Sequence, residues 1–582
     1  MCQPPVDYKN ILQTVKDLSM KAKVLSSLTP QELIGVIKEI LNILSSDSWT
    51  DVDDWFKKEL DLMGMSETVA GNKLEALGKF GMGLSIKQFL NSIIESLEIN
   101  ELQDEAAKPE LLQKVRDVFG AKVHGPCKIS SLGPETFEVW TRPTDISDVC
   151  ENNSNKGTAL VLGAGNNSFL TLVDALHQIF IEQNTVLIKH HPLRPYLMEP
   201  YEVILKPLIQ RGYLYQVLDY GIPFTQKILA SPLVNHVHIT GSLQTSKAVQ
   251  KFLATSRPEM TEKEIDSMVT SELGCATPFV ITPETYSNEE LQNIATLLVG
   301  SKKNNAGHNC LATQVLVLPK EWEQKDLFQK ILMKEFKNQP TQPMYYPGSA
   351  ERRKFMMEQY KSRVKSIKST SLVEMECEEC DEMTILYCGD PKEDDYIDKA
   401  IKSEAFGSVL AIVELSFPSE LKSKYLNEIA VPFLNDKSNI FGSLSCSLII
   451  PNSQIHDEVT QKAIGSLRYG AVVVNEASFF GYSAMTRGAV WGANPLDSTG
   501  QSGNGYIGNH FKIPSVEKTV VYGNSLKVKS QVTMELPPAL LFDVIRIALL
   551  NQGIIDATWR TTKLFVSKIF SPFVSKYISR AS

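Results

Sequence analysis

Over the first 125 residues apolar positions recur at helical spacing, as in "PQELIGVIKEILNIL", and alternating runs are few, which predicts a helical lead-in. From about residue 155 to 280 the pattern changes. Short apolar runs ("GTALVLGAG", "NTVLIKH", "VNHVHITGS") alternate with helical stretches ("FLTLVDALHQIFIEQ", "EPYEVILKPLIQRGY"). Strands and helices in alternation build βαβ units and a parallel sheet, and such sheets bind nucleotides at their carboxyl edge. The alternation resumes in "TPFVITP", "TQVLVLP", "GSVLAIVEL", "CSLIIPN" and "YGAVVVNE", predicting a second α/β layer. After "EKTVVYG" a tail from about residue 526 returns to helical patterning.

A chain of 582 residues is too long for one core, and 43% hydrophobic with 22% charged residues is ordinary for a globular enzyme. The formal net charge of -8 and the lack of a basic, aromatic-interleaved stripe argue against a nucleic-acid partner. Nine cysteines, an odd number, do not make a disulfide framework, and the start "MCQPPVDYKN" has no apolar signal core; a cytoplasmic location is expected. The stretch "CEECDEMTILYC" holds Cys377, Cys380 and Cys388 but only one CxxC, so it reads as surface thiols, with no metal site. The tail carries Arg546, Arg560, Lys563, Lys568, Lys576 and Arg580 against Asp556 beyond Asp543. A solvated face packed on its own domain is the reading preferred for it, with membrane-surface contact as the alternative.

Candidate chemistry centres on Cys310. In "NNAGHNCLATQVLVLP" it sits on a small-residue turn directly before a strand, a position that presents a nucleophile, whereas a packing cysteine usually lies inside the apolar run. A thiol with a reference pKa near ~8.5 is mostly protonated at neutral pH and needs a partner. Glu272, in "SELGCATPFVI", lies one crossover upstream, close enough for two neighbouring strand-edge loops to share a crevice. His308 is a second perturber to consider. In "VHITGSLQTSKAVQKFL" a strand ends at Thr240, Gly241 and Ser242 and a helix begins at once, so its N-terminus offers a phosphate site. "LGAGNN" has Gly163 and Gly165 but lacks the third glycine of the dinucleotide fingerprint. Lys189 ends "NTVLIKH", where ribose hydroxyls would lie.

The order of Asn166, Lys189, Thr240-Gly241-Ser242, Glu272-Leu273-Gly274, Gly307-His308-Asn309-Cys310 and Glu404-Ala405-Phe406-Gly407 resembles that of the aldehyde dehydrogenase superfamily. The resemblance covers roughly residues 125 to 525 and identifies a divergent member. It implies an α/β fold with two Rossmann-type parallel-sheet domains and a small bridging element, to which the helical lead-in read above adds an N-terminal helical extension beyond what the family usually carries. The expected division is 1–125 helical lead-in packed on the cofactor domain, 126–275 NAD(P)-binding domain, 276–480 catalytic domain, 481–525 closing segment and oligomerisation strand, and 526–582 basic tail. Strands near "TFEVWT" and "EKTVVYG" would form the bridge that pairs subunits into a homodimer or homotetramer.

By the same resemblance Cys310 is the nucleophile that attacks an aldehyde, Asn166 the oxyanion donor, and Glu272 the base that activates water against the thioester. Glu404 and Phe406 would sit at the nicotinamide ribose, Lys189 at the adenosine ribose, and Thr240, Gly241 and Ser242 at the pyrophosphate of NAD or NADP. The function implied is oxidation of an aldehyde to a carboxylic acid. A coenzyme A-acylating relative and a silent binding protein on the same fold are the alternatives, and Glu272 weighs against the former. This chain departs from the family at "GAGNNSF", Glu-Leu-Gly-Cys and Gly-His-Asn-Cys, and "AVWGANPLDSTGQSGNGYIGN" replaces the usual closing region. Pro192 stands where NAD-preferring relatives often place a glutamate; with His190, His191 and Arg194 nearby, NADP is expected to be tolerated.

Overall fold

The computed structural model describes residues 10–46, 48–66, 69–99, 108–130, 134–142, 156–369 and 382–527; Cys377, Cys380 and the tail beyond 527 lie outside them. Its strands are β1 (Val115–Val118), β2 (Ala121–Lys128), β3 (Thr136–Thr141), β4 (Thr158–Leu162), β5 (Thr185–Lys189), β6 (Leu214–Val217), β7 (Val234–Thr240), β8 (Val269–Glu272) and β9 (Pro278–Ile281). They continue with β10 (Val315–Pro319), β11 (Val364–Lys368), β12 (Glu382–Gly389), β13 (Val409–Leu415), β14 (Ser445–Ile449), β15 (Ala471–Val474), β16 (Val490–Gly492), β17 (Tyr506–Gly508) and β18 (Val516–Tyr522). Every apolar run read above as a strand is one.

Two parallel sheets organise the molecule. The first has order β6-β5-β4-β7-β8 and is parallel throughout. The second has eleven strands, order β1-β2-β3-β18-β15-β14-β9-β10-β13-β12-β11. Its centre, from β18 to β12, is parallel, and β1, β2, β3 and β11 add antiparallel edges. The fold is therefore α/β with two parallel sheets, as expected from strands that read as continuous apolar runs because both faces are covered.

The helical reading to residue 125 needs correction, because β1 and β2 occupy 115 to 128. Three of the four residues of β1 are exposed and β2 alternates polar with small residues, so neither carries an apolar run to announce it. The strands at "TFEVWT" and "EKTVVYG", β3 and β18, pair antiparallel and extend the larger sheet.

Before these strands the lead-in is helical, and its first helix, Ile11–Ser26, covers one face of the smaller sheet. Ile11, Val15 and Leu18 are fully buried in the cluster that contains Leu160 of β4 and Leu187 of β5. Each such side chain contributes about 1.5–3 kcal/mol when fully buried. The Leu18 carbonyl accepts the Thr185 hydroxyl at 3.1 Å. On the opposite face lies the helix Leu170–Phe180, buried along its whole length. No helix among the described residues is long and apolar enough to cross a membrane.

Candidate active site

The carboxyl ends of the smaller sheet's strands and the loops that lead into β9, β10, β13 and β14 of the larger sheet border a cleft of about 980 Å³, lined by Asn166, Lys189, Thr240, Gly241, Ser242, Glu272, Cys310, Glu404 and Phe406. All the site residues read from the sequence meet there, although 240 positions separate Asn166 from Phe406 in the chain.

Cys310 is carried on a turn of unusual backbone. Asn305 (φ 54°), Ala306 (φ 52°) and Gly307 (φ 77°) follow one another in the left-handed region, which costs a non-glycine residue roughly 1–2 kcal/mol. A Cβ on Gly307 would meet the Gly407 carbonyl oxygen at 2.5 Å, so the turn is pressed against the loop that carries Phe406. Hydrogen bonds hold the turn: Asn305 Nδ2 donates to the Asn166 carbonyl at 2.9 Å and to the His308 carbonyl at 3.2 Å, and Tyr345 Oη donates to Asn305 Oδ1 at 2.8 Å.

The Cys310 thiol donates to Glu272 Oε1 at 3.4 Å. Burial, followed by the Glu272 and Glu404 carboxylates, pushes the thiol well above its ordinary value. Glu272 ends β8 and is 2% exposed; burial raises it to about 7, while the Trp491 indole, the thiol and His238 favour its charged form and Asp174 opposes it. A carboxyl near 7 is suited to act as a general base at neutral pH, while the thiol keeps its proton in the resting site. The Cys310 backbone N–H has no acceptor among the described residues, and Asn166 Nδ2, beside it in the cleft, donates to the His308 carbonyl at 3.1 Å. Cys275 is by contrast fully buried, bonded to the Phe441 carbonyl and raised by burial.

Several sequence readings change. Cys388 is fully buried in β12 against the Tyr360 hydroxyl and is no surface thiol; it falls on an apolar face whose period was masked by the acidic stretch before it. His308 is a buried ring packed against Tyr345, Tyr346 and Phe406; burial holds it neutral, near 3, so it lends Cys310 no positive charge. His190 and His191 are likewise neutral, each lowered to about 4 by burial. Arg194 is 1% exposed and turned away from the cleft, bonding to Glu59 of the helix Trp55–Leu62, to the Gly165 carbonyl at 2.8 Å and to Tyr345 at 3.3 Å.

Lys189 Nζ is paired with Asp219 Oδ2 at 2.5 Å, and both line the cleft. Asp219 was missed by sequence reasoning because it follows β6, a strand of four residues in a stretch that reads as helical. Ser242 caps the helix Leu243–Ser256, its hydroxyl accepting the Thr245 N–H at 3.1 Å, while Thr240 donates to Asp174 at 2.9 Å and not into the cleft. Glu404 accepts the Cys275 N–H at 3.3 Å, and a Cβ on Gly274 would collide with its carboxylate, which explains why glycine follows Leu273. Burial raises Glu404 to about 7. Among the described residues no group of three or more His, Cys, Asp or Glu could hold a metal ion.

Residues 128–350 match the model of the aldehyde dehydrogenase family. Over that segment the chain is similar to aldehyde dehydrogenases. A comparison with curated proteins returns no match. Among solved structures, succinic semialdehyde dehydrogenase from Streptococcus pyogenes in complex with NADP+ superposes with a TM-score of 0.57 at 14% identity, covering 90% of this chain and 97% of its own. NADP-dependent glyceraldehyde-3-phosphate dehydrogenase from Bacillus halodurans, complexed with NADP, gives 0.57 at 14% identity, covering 89% and 91%. Indole-3-acetaldehyde dehydrogenase in complex with NAD+ gives 0.57 at 16% identity, covering 89% and 90%. At these identities the aldehyde dehydrogenase fold is shared across almost the whole chain.

Proposed function

We propose that the protein oxidises an aldehyde to a carboxylic acid through a Cys310 thiohemiacetal and thioester, with NAD or NADP as hydride acceptor. The observation that carries this reading is the thiol–carboxylate contact of Cys310 with Glu272, set in a cleft beside an unengaged Cys310 N–H and the Asn166 amide. The residues fit a dinucleotide: a 14-residue helix capped by Ser242 turns its N-terminus to the cleft, and Lys189, Asp219 and Glu404 line it with ribose-binding chemistry. When bound, the cofactor supplies the hydride-accepting ring.

The rest is done by the chain. Glu272 takes the thiol proton as Cys310 attacks the carbonyl carbon, and the oxyanion that forms is stabilised by the Cys310 N–H and the Asn166 amide. Loss of hydride leaves the thioester. Glu272, once deprotonated again, draws a proton from water as the oxygen attacks the acyl carbon, and Cys310 leaves. A CoA-acylating enzyme has no use for that second step, which favours hydrolysis. Absorbance of reduced cofactor with a panel of aldehydes tests the reading: turnover in the wild type and its loss in Cys310→Ala are expected, whereas turnover that survives Cys310→Ala overturns it.

A further inference from the structure

Strand β7 presents His236, His238 and Thr240 on one face, and β8 beside it presents Thr270 and Glu272; the register pairs His238 with Thr270 and Thr240 with Glu272. Two-residue spacing places these side chains in one polar stripe, while Val237 and Ile239 point to the apolar core on the other side. The stripe is bonded along its length. His236 Nε2 and His238 Nδ1 each lie 2.9 Å from the Thr270 hydroxyl, which can accept from one imidazole and donate to the other. His238 Nε2 lies 3.6 Å from Asp174 Oδ1, and Thr240 holds Asp174 Oδ2 at 2.9 Å. Asp174 and His238 are each 1% exposed, whereas His236 reaches partial exposure.

A buried face of this kind costs several kcal/mol to assemble from charged groups and is normally filled with apolar side chains. Glu272 Oε2, Asp174 Oδ1 and His238 Nε2 are all buried without a hydrogen-bond partner among the described residues. Buried polar atoms of this sort are ordinarily satisfied by water, which would close the gaps between them.

We infer that this stripe is a proton relay, running from Glu272 through Asp174 and His238, across the Thr270 hydroxyl, to His236 and solvent. The inference rests on Glu272 being the base of the proposed reaction. Oxidation of an aldehyde with water, RCHO + H2O → RCOO− + H− + 2H+, sheds two protons per turnover. The first is the thiol proton, which Glu272 holds after Cys310 attacks; it must leave before the carboxylate can activate water, and the relay takes it. The proton Glu272 then draws from water returns to the departing Cys310 thiolate, and the second proton leaves with the carboxylic acid. The charges around His238 suit the task. Burial opposes its protonation, but Asp174, Glu272 and Glu182 outweigh this and hold the imidazole above its usual value. His236 is lowered to about 4 by burial and by His238, so it hands the proton on. At the outer end Glu182 stays ionised because His177 outweighs its burial, with Lys512 also nearby.

The test uses the full chain without cofactor. p-Nitrophenyl acetate acetylates a nucleophilic thiol and releases p-nitrophenolate, and the half-life of the acetyl-Cys310 adduct is then followed by mass spectrometry. In His238→Asn and Asp174→Asn the acetylation rate is expected within about twofold of wild type, while the adduct half-life lengthens roughly tenfold or more and its solvent deuterium isotope effect grows. Thr270→Val, nearly isosteric and without the bridging hydroxyl, changes in the same sense and guards against misfolding of the other two. If acetylation and hydrolysis slow together, or neither changes, while Glu272→Gln still stabilises the adduct, the relay is wrong and the base assignment stands. If Glu272→Gln hydrolyses its adduct at the wild-type rate, the base assignment falls and the relay with it.

Discussion

At the residue scale, Glu272 is held near 7 by burial, so the rate of thioester hydrolysis should rise as pH increases through about 7, in step with its ionisation. The same group costs stability. Its folded value lies above the unfolded one, so its favourable contribution is complete below the unfolded value of about 4.5 and is lost as pH rises through about 7. Glu272→Gln should therefore raise stability at pH 8 by at most about 3 kcal/mol, seen as a higher melting temperature, with the gain shrinking to below about 1 kcal/mol near pH 5. Differential scanning calorimetry at both pH values checks this; equal gains at both would refute it. Asp219 is the other single residue with a clear consequence. Its carboxylate beside Lys189 would repel a 2′-phosphate, and Arg194 is not available to bind one. Preference for NAD is expected, and Asp219→Asn should lower the NAD-over-NADP ratio of kcat/KM about tenfold or more, whereas Arg194→Ala should leave that ratio unchanged.

At the element scale, the helix Trp55–Leu62 reaches the active site through one buried ion pair. Glu59 bonds Arg194 and accepts the Tyr196 hydroxyl at 2.8 Å; Arg194 in turn holds the Gly165 carbonyl, next to Asn166, and Tyr345, which braces the Cys310 turn. Removing one partner of such a pair strands the other charge. Glu59→Ala should lose about 3–5 kcal/mol in urea unfolding, and Glu59→Met with Arg194→Met should recover a large part of it. A loss confined to the first few tenths of a kcal/mol would mean that solvent reaches the pair.

At the scale of the whole molecule, the lead-in supplies part of the smaller sheet's core. Leu18 is fully buried between the helix Ile11–Ser26 and β5, and Leu18→Asp would place an unpaired carboxylate there. Loss of more than about 3 kcal/mol and of activity together is expected, measured as a fall in melting temperature and in turnover. Activity that survives removal of the first helix would show that the smaller sheet's face tolerates solvent.

The sequence by itself determined the α/β class, the strands with continuous apolar runs, and a set of site residues that the fold brings into one cleft. Those features are local: a buried parallel strand needs an uninterrupted apolar run, and a nucleophile needs a tight turn before it. Short or polar strands such as β1, β6 and β8 carried no such mark; Cys388 read as a surface thiol and His308 as a perturber of Cys310 because the strands and rings that bury them are distant in the chain. Partner choice was also beyond local patterning. That Lys189 meets Asp219, that Arg194 turns to Glu59 instead of a cofactor, and that His238 and Asp174 lie behind Glu272 depend on where separate strands and helices come together. Electrostatic energy falls with distance and rises with burial, and only the tertiary structure fixes either quantity.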